Sequence, residues 1–297
     1  MKKYLLIGSI HTDLVSHVDH LPKGNEDFSA DQAEIRTDGT GFRNAYVFSK
    51  FGFDYDLIAP VGEGIYGDRV KEDCDSLHIP YIEDEDIAGC TYRLIDCKDE
   101  ECFFCAPGCE YNYQYSYAQN IDFEDIDTVV VYGDMFTGDG GDDLLASIED
   151  FEKPFWFIPT GRLDEMDPLY AEEILKLKPF LFMTDTEAYY LSNEHSKDLK
   201  ETAQYFLSIT EKPVLIFKNC EGVYYADSEE VFFAPESHRM NPIILISAYL
   251  AATYAGVDKK NSLMFAVHFA SIRGNDLPTD FDFEEQKHRL VGMITHK

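Results

Sequence analysis

Positive charge is scarce in this 297-residue chain: 25 Lys and Arg stand against 56 Asp and Glu, a formal charge of −31. Nucleic acid and anionic lipid are excluded as expected partners, because a phosphate-bearing surface is held by clustered Lys and Arg that displace its counterions. Long apolar runs are missing too. A membrane-spanning helix needs roughly 18 uninterrupted apolar residues. The best stretch, 242–255, is shorter and carries Ser, Thr and two Tyr. At the N-terminus, MKKYLLIGSIHTD breaks its apolar run at Gly8, His11 and Asp13, too early for the core of a signal peptide, so a first β-strand and a cytoplasmic location are expected. Seven cysteines, an odd number in so large a chain, fit reduced thiols better than a disulfide framework. Neither an internal repeat nor a low-complexity linker divides the sequence, which is read as a single domain over 1–297. Without a G-x-S-x-G elbow or a Walker A loop, two large enzyme classes drop out as well.

What is present is a globular pattern, 45% hydrophobic and 14% aromatic. Apolar, β-rich runs at 4–10, 55–61, 128–132, 154–158, 180–184 and 214–217 alternate with helix-length segments at 44–51, 66–77, 144–151, 170–177, 186–191 and 199–208. Such alternation predicts βαβ crossovers and a parallel sheet covered on both faces. Residues 242–272 read as two further helices and 283–293 as another. One region interrupts the alternation: 91–95 and 102–106 read as an antiparallel hairpin, and 15–36 is extended. Together these segments predict a small sheet that serves as a lid.

Four local patterns bear on chemistry. Asp38-Gly39-Thr40-Gly41-Phe42-Arg43-Asn44-Ala45 is a glycine-bearing turn opening a helix, where backbone N–H groups could bind an anion or a hydroxyl-rich ligand; alternatively it is only a loop with a helix cap. Gly62-Glu63-Gly64-Ile65-Tyr66-Gly67 matches the dinucleotide fingerprint G-x-G-x-x-G, but it follows the second strand, and Glu63 and Tyr66 would crowd a pyrophosphate. Cys97, Cys102, Cys105 and Cys109 have a metal-like spacing. Yet Cys102 and Cys105 fall on opposite faces of one strand, so free thiols are preferred and no metal site is assigned. The acidic clusters 83–86, 122–127 and 139–143 lack calcium-loop spacing and read as solvated faces.

Taken in order, these pieces resemble the ribokinase or PfkB family of carbohydrate and nucleoside kinases over nearly the whole chain. Gly8 to Asp13 resembles that family's G-S-x-N-x-D turn, whose Asp binds sugar hydroxyls, with His11 in the Asn slot. Asp38 to Ala45 resembles G-G-x-G-x-N-x-A, with Asp38 in the first Gly slot and Arg43 in the Asn slot. The stretch from Val61 to Gly67 is similar to V-G-x-D-x-x-G and needs no dinucleotide. Pro107-Gly108-Cys109-Glu110 resembles the exit from the lid hairpin. Thr184-Asp185-Thr186-Glu187 resembles N-x-x-E, whose Glu organises Mg²⁺ and phosphate, and Lys218 to Gly222 stands where the family has a nucleotide loop; there Gly222 alone matches. The family's C-terminal D-T-x-G-A-G-D signature cradles the transferring phosphate and supplies the general base. Here the corresponding segment is Ser237-His238-Arg239-Met240-Asn241-Pro242-Ile243. Ile243 fills the slot of the base and can accept no proton, and Pro242 has no N–H to offer.

The resemblance implies a ribokinase-like three-layer α/β sandwich with a mostly parallel central sheet and a small β lid formed by about 14–37 and 89–110. It also implies ATP and Mg²⁺ as cofactors and a sugar or nucleoside as the small polyhydroxylated ligand. Carried over residue by residue, the substrate face is Asp13, His11, Gly39, Gly41, Arg43 and Asn44, and the nucleotide and phosphate face is Glu187, Asn219, Gly222 and Arg239. No catalytic residue is assigned. The leading expectation is a family member with impaired or absent phosphoryl transfer that still binds a small ligand. One alternative is an active kinase of altered specificity, with Arg239 or His238 at the phosphate and another carboxylate as base. A second is a dimeric interaction module, paired through the lid, that takes no ligand. An open, polar pocket between Asp13 and Ile243 is what both ligand-binding expectations require.

Overall fold

A computed structural model describes residues 3–27, 29–98, 100–160, 162–193, 196, 198–272, 277 and 280–295. Among these the strands are β1 (Tyr4–Ile7), β2 (His11–His17), β3 (Gln32–Asp38), β4 (Tyr55–Ile58), β5 (Pro60–Glu63), β6 (Ile82–Ile87) and β7 (Cys90–Ile95). The chain continues with β8 (Glu101–Ala106), β9 (Thr128–Tyr132), β10 (Phe155–Ile158), β11 (Phe180–Thr184), β12 (Val214–Lys218), β13 (Gly222–Ala226) and β14 (Val231–Pro235). The helices are α1 (Thr40–Phe51), α2 (Ile65–Leu77), α3 (Gly141–Asp150), α4 (Pro168–Lys176), α5 (Asp185–Leu191), α6 (Leu199–Thr210), α7 (Pro242–Tyr254), α8 (Lys259–Ser271) and α9 (Asp280–Thr295).

An eight-stranded sheet, ordered β14-β13-β12-β11-β10-β9-β1-β4, forms the centre. Its strands from β12 to β4 run parallel, and β13 and β14 add an antiparallel edge. Period-2 alternation sends successive side chains to opposite faces. Leu5, Ile7, Val129, Val131, Phe155 and Phe157 join the core under α3, α4 and α6; Leu6, Val130, Tyr132, Trp156 and Ile158 join the one under α1, α7 and α8. With both faces covered, the strands must read as continuous apolar runs, and they do. The α7 sequence PIILISAYLAATY is apolar on every side because it is buried on every side, packing on α1 and α8. The fold is therefore a three-layer α/β sandwich.

Two smaller sheets flank it. One, ordered β3-β2-β7-β8, is built from two separated segments of the chain joined by the parallel pair β2–β7. The other is β5–β6. The single strand expected at 55–61 is thus two: Pro60 has no N–H for a central ladder, and the chain leaves the main sheet there. β6 lies in a segment read above as a solvated acidic face, and the β13–β14 hairpin was not anticipated. Asp99, in the expected β7–β8 turn, lies outside the described residues. No described helix is long and apolar enough to cross a membrane.

Candidate functional site

The carboxyl ends of β1, β9, β10, β11 and β12 open on one side of the central sheet, where α/β folds bind ligands. There they meet the inner face of the four-stranded sheet. Between them lies a cleft of about 540 Å³ whose lining includes both Asp13 and Ile243. It runs on into an apolar recess of about 440 Å³ walled by Ile158, Leu163, Phe182 and Ile243. The space the sequence required between Asp13 and Ile243 is open, polar at one end and apolar at the other.

The polar end carries an unusual share of the scarce positive charge. Arg43, Arg93, Arg162 and Arg239 line the cleft, and Arg36 bonds to Asp13 behind it: five of the eight arginines in the sequence. Four of them alternate with carboxylates in one row. Arg239 pairs with Glu101 at 3.2 Å, Glu101 with Arg93 at 2.7 Å, and Arg93 with Asp13 at 3.8 Å. The row continues from Asp13 to Arg36 at 3.3 Å, on to Asp38 at 3.6 Å, and ends at Arg43, whose Nη2 donates to Asp38 at 2.6 Å. Burial pushes the Asp13 carboxyl above its ordinary pKa, with Asp38 adding to the rise and Arg36, His11 and Arg93 opposing it. Asp38 goes the other way. Burial disfavours its charge, but the two-pronged Arg43 guanidinium outweighs that and holds it well below the usual carboxylate range.

The two departures in the glycine turn therefore explain each other. Asp38 and Arg43, in the slots of a Gly and an Asn, are both buried and form one ion pair. Arg43 is neither on the helix surface nor aimed alone at a ligand. The turn's backbone is likewise engaged within the protein: Gly39 N donates to Asp38 Oδ1, and Gly41 N and Phe42 N donate to Ser9 O. Gly39 has φ +123°, and a methyl group there would lie 2.3 Å from the Ser9 carbonyl oxygen, so close packing fixes this glycine. Asn44 faces the core, where its Nδ2 donates to Tyr132 Oη at 2.7 Å.

On the expected nucleotide face the side chains are also occupied. Thr184 and Glu187 form a reciprocal capping box on α5, Glu187 accepting from Thr184 N at 2.8 Å. Lys218 pairs with Glu221 and His238 with Glu236. Asn219 accepts from Met240 N at 3.3 Å, and Gly222, with φ +134°, packs against Ala234 inside the β13–β14 hairpin. At the start of α7 the Asn241 carboxamide accepts from both Ile243 N and Ile244 N, at 2.9 and 3.1 Å. Pro242 precedes them without an N–H, so side chain and proline together use up the helix's opening amides.

Sequence reasoning passed over several cleft residues, Asp134 and Arg162 above all. Asp134 follows β9 in a short turn and is buried, accepting from Ser9 Oγ at 2.6 Å and Thr40 Oγ1 at 2.9 Å. Burial raises its pKa against those two bonds. Arg162 follows β10 and lies 4.4 Å above the Tyr111 ring, pairing with the exposed Glu165. The signal that could have found both is position alone: a polar residue just past an apolar parallel strand. The four cysteines scatter. Cys97 and Cys102 are exposed, Cys105 lines the cleft and Cys109 is buried. Among the described residues no group of three or more His, Cys, Asp or Glu is gathered as a metal site.

Residues 1–274 match the model of the pfkB family carbohydrate kinases, and the chain belongs to that family. Solved structures share the fold at low identity. A ribokinase from Giardia lamblia superposes with a TM-score of 0.81 at 16% identity, covering 98% of this chain and 99% of that one. A Thermotoga maritima ribokinase gives 0.79 at 18%, covering 97% and 99%. The Arabidopsis thaliana ribokinase complexed with ribose and ATP gives 0.73 at 14%, covering 97% and 98%. No curated protein matches in sequence.

Proposed function

We propose that this chain binds a small polyhydroxylated ligand in the cleft and has lost ATP-dependent phosphoryl transfer. The observation that carries the reading is the start of α7, where Asn241 occupies the Ile243 and Ile244 amides and Ile243 replaces a base. Phosphoryl transfer rests on positioning and electrostatic stabilisation, to which a general base adds about 10²–10⁴-fold. Loss of the base alone leaves a slow enzyme; loss of the helix amides as well removes the stabilisation on which the rest depends.

The residues present do not fit MgATP. Glu187 is held in a capping box, and Lys218, His238 and Arg239 each face a glutamate. The net charge of −31 adds general repulsion of a polyanion. Calorimetry with MgATP at millimolar concentration is expected to detect no binding, and a coupled assay over neutral sugars and nucleosides no turnover. Turnover in the range of about 1–100 s⁻¹ usual for kinases would overturn the reading and favour an active enzyme with an unconventional base.

A further inference from the structure

The proposed function leaves the apolar recess beside the cleft without an occupant. Its volume of about 440 Å³ falls in the range of about 300–1,000 Å³ usual for ligand pockets, whereas packing leaves few voids larger than a water molecule in a protein interior. Ile158 on β10, Leu163 in the loop after it, Phe182 on β11, and Pro242 and Ile243 at the start of α7 form its walls. Its inner polar side chains are engaged within the protein. Thr40 Oγ1 accepts from Ser9 N at 3.1 Å and donates to Asp134 at 2.9 Å, and Thr160 Oγ1 accepts from Asp134 N at 3.1 Å. Thr184 and Glu187 close the capping box on each other. The remaining polar lining, Asp164, Thr186 and Tyr190, is exposed and marks the mouth.

Such a lining specifies what it receives. An anion finds no partner there: two carboxylates, Asp164 and Glu187, line the recess, and no Lys, Arg or His stands among the described lining residues. The first free amides of α7 are already taken by Asn241. A neutral polar group would give up its hydrogen bonds to water without replacing them, which costs free energy. An apolar group gains in proportion to the area it removes from water. The same molecule can also reach the polar cleft, because Thr40, Thr160 and Ile243 line both spaces.

We infer that the ligand is an amphiphile, with a polyhydroxylated head in the polar cleft and an aryl or short alkyl group filling the recess. The inference rests on the ligand-binding reading above and adds the apolar half of the molecule. Around Glu187 and Ile243, where the resemblance to the family implies a phosphate, the walls of this chain suit hydrocarbon instead.

The test is calorimetry on the full chain with methyl, propyl, hexyl and phenyl glycosides of glucose, galactose and ribose, and with 1-hexanol and benzyl alcohol as probes that lack the head. For at least one sugar, affinity is expected to rise by about fourfold per buried methylene and the heat capacity of binding to grow more negative from methyl to hexyl. That trend is read in the unmodified protein and does not depend on any variant folding. Leu163 lines the recess but not the polar cleft, so Leu163→Trp should bring the hexyl compound back toward the affinity of the methyl one. An unchanged hexyl preference in that variant places the apolar group elsewhere and overturns the inference. Methyl glycosides that bind as tightly as hexyl and phenyl ones also overturn it and leave the polyol reading standing. If the two alcohols bind while every glycoside fails, or if none of the probes binds, the amphiphile and the polyol reading fall together.

Discussion

Asp134 shows at the scale of one residue how the cleft is kept at a cost in stability. Its carboxyl is buried, its pKa is raised by that burial, and one oxygen has no partner among the described residues. The sign follows directly. A folded-state pKa above the unfolded value means the folded protein holds the proton more tightly, so the ionised form destabilises at neutral pH and relief comes as pH falls through the raised value. Asp134→Asn, which removes the buried charge and keeps an oxygen to accept from Ser9 or Thr40, is expected to stabilise the protein at pH 7 while weakening ligand binding. Thermal melts between pH 5 and 8 check this: the gain should shrink toward the acid end. Asp134 and Arg162 were illegible in the sequence because no motif contains them; Asp13 and His11 were legible because one does. Ile243 was legible for the opposite reason, as the wrong residue in a recognisable slot.

Between β3 and α1 the meaningful unit is a pair. Breaking the buried Asp38–Arg43 bridge from one side leaves Asp38 with only the longer Arg36 contact at 3.6 Å, and removing one partner of a buried pair typically costs about 3–5 kcal/mol. Arg43→Asn alone is expected to fall in that range by denaturant melt. The double variant Asp38→Gly with Arg43→Asn should recover most of the loss, with a coupling energy above about 1 kcal/mol for residues in direct contact. Additive losses would show that the two departures are independent. Elements read well from the sequence where strands are apolar and buried, as from β9 to β12. They read poorly where pairing overrides composition. β6 is Ile-Glu-Asp-Glu-Asp-Ile, too acidic to announce a strand, and it forms one because β5 has left the main sheet and lies beside it.

The whole molecule is a strongly acidic body that gathers most of its arginines at one opening. Self-repulsion from a charge of −31 opposes compaction, and salt screens it over a Debye length of about 8 Å at 0.15 M. The melting temperature is expected to climb by several degrees between 20 mM and 0.5 M NaCl, read by scanning calorimetry; a flat response would mean the acidic faces are already locally compensated. The start of α7 carries a consequence of another kind, for reversibility over mutational time. Replacing Asn241 removes a helix cap worth about 1 kcal/mol. Replacing Pro242 gives up a first-turn residue already set for the helix, and Ile243→Asp buries a carboxylate against Phe182 and Ile158. If turnover is lost as proposed, each step taken alone lowers stability without restoring it, and no single substitution leads back to a kinase.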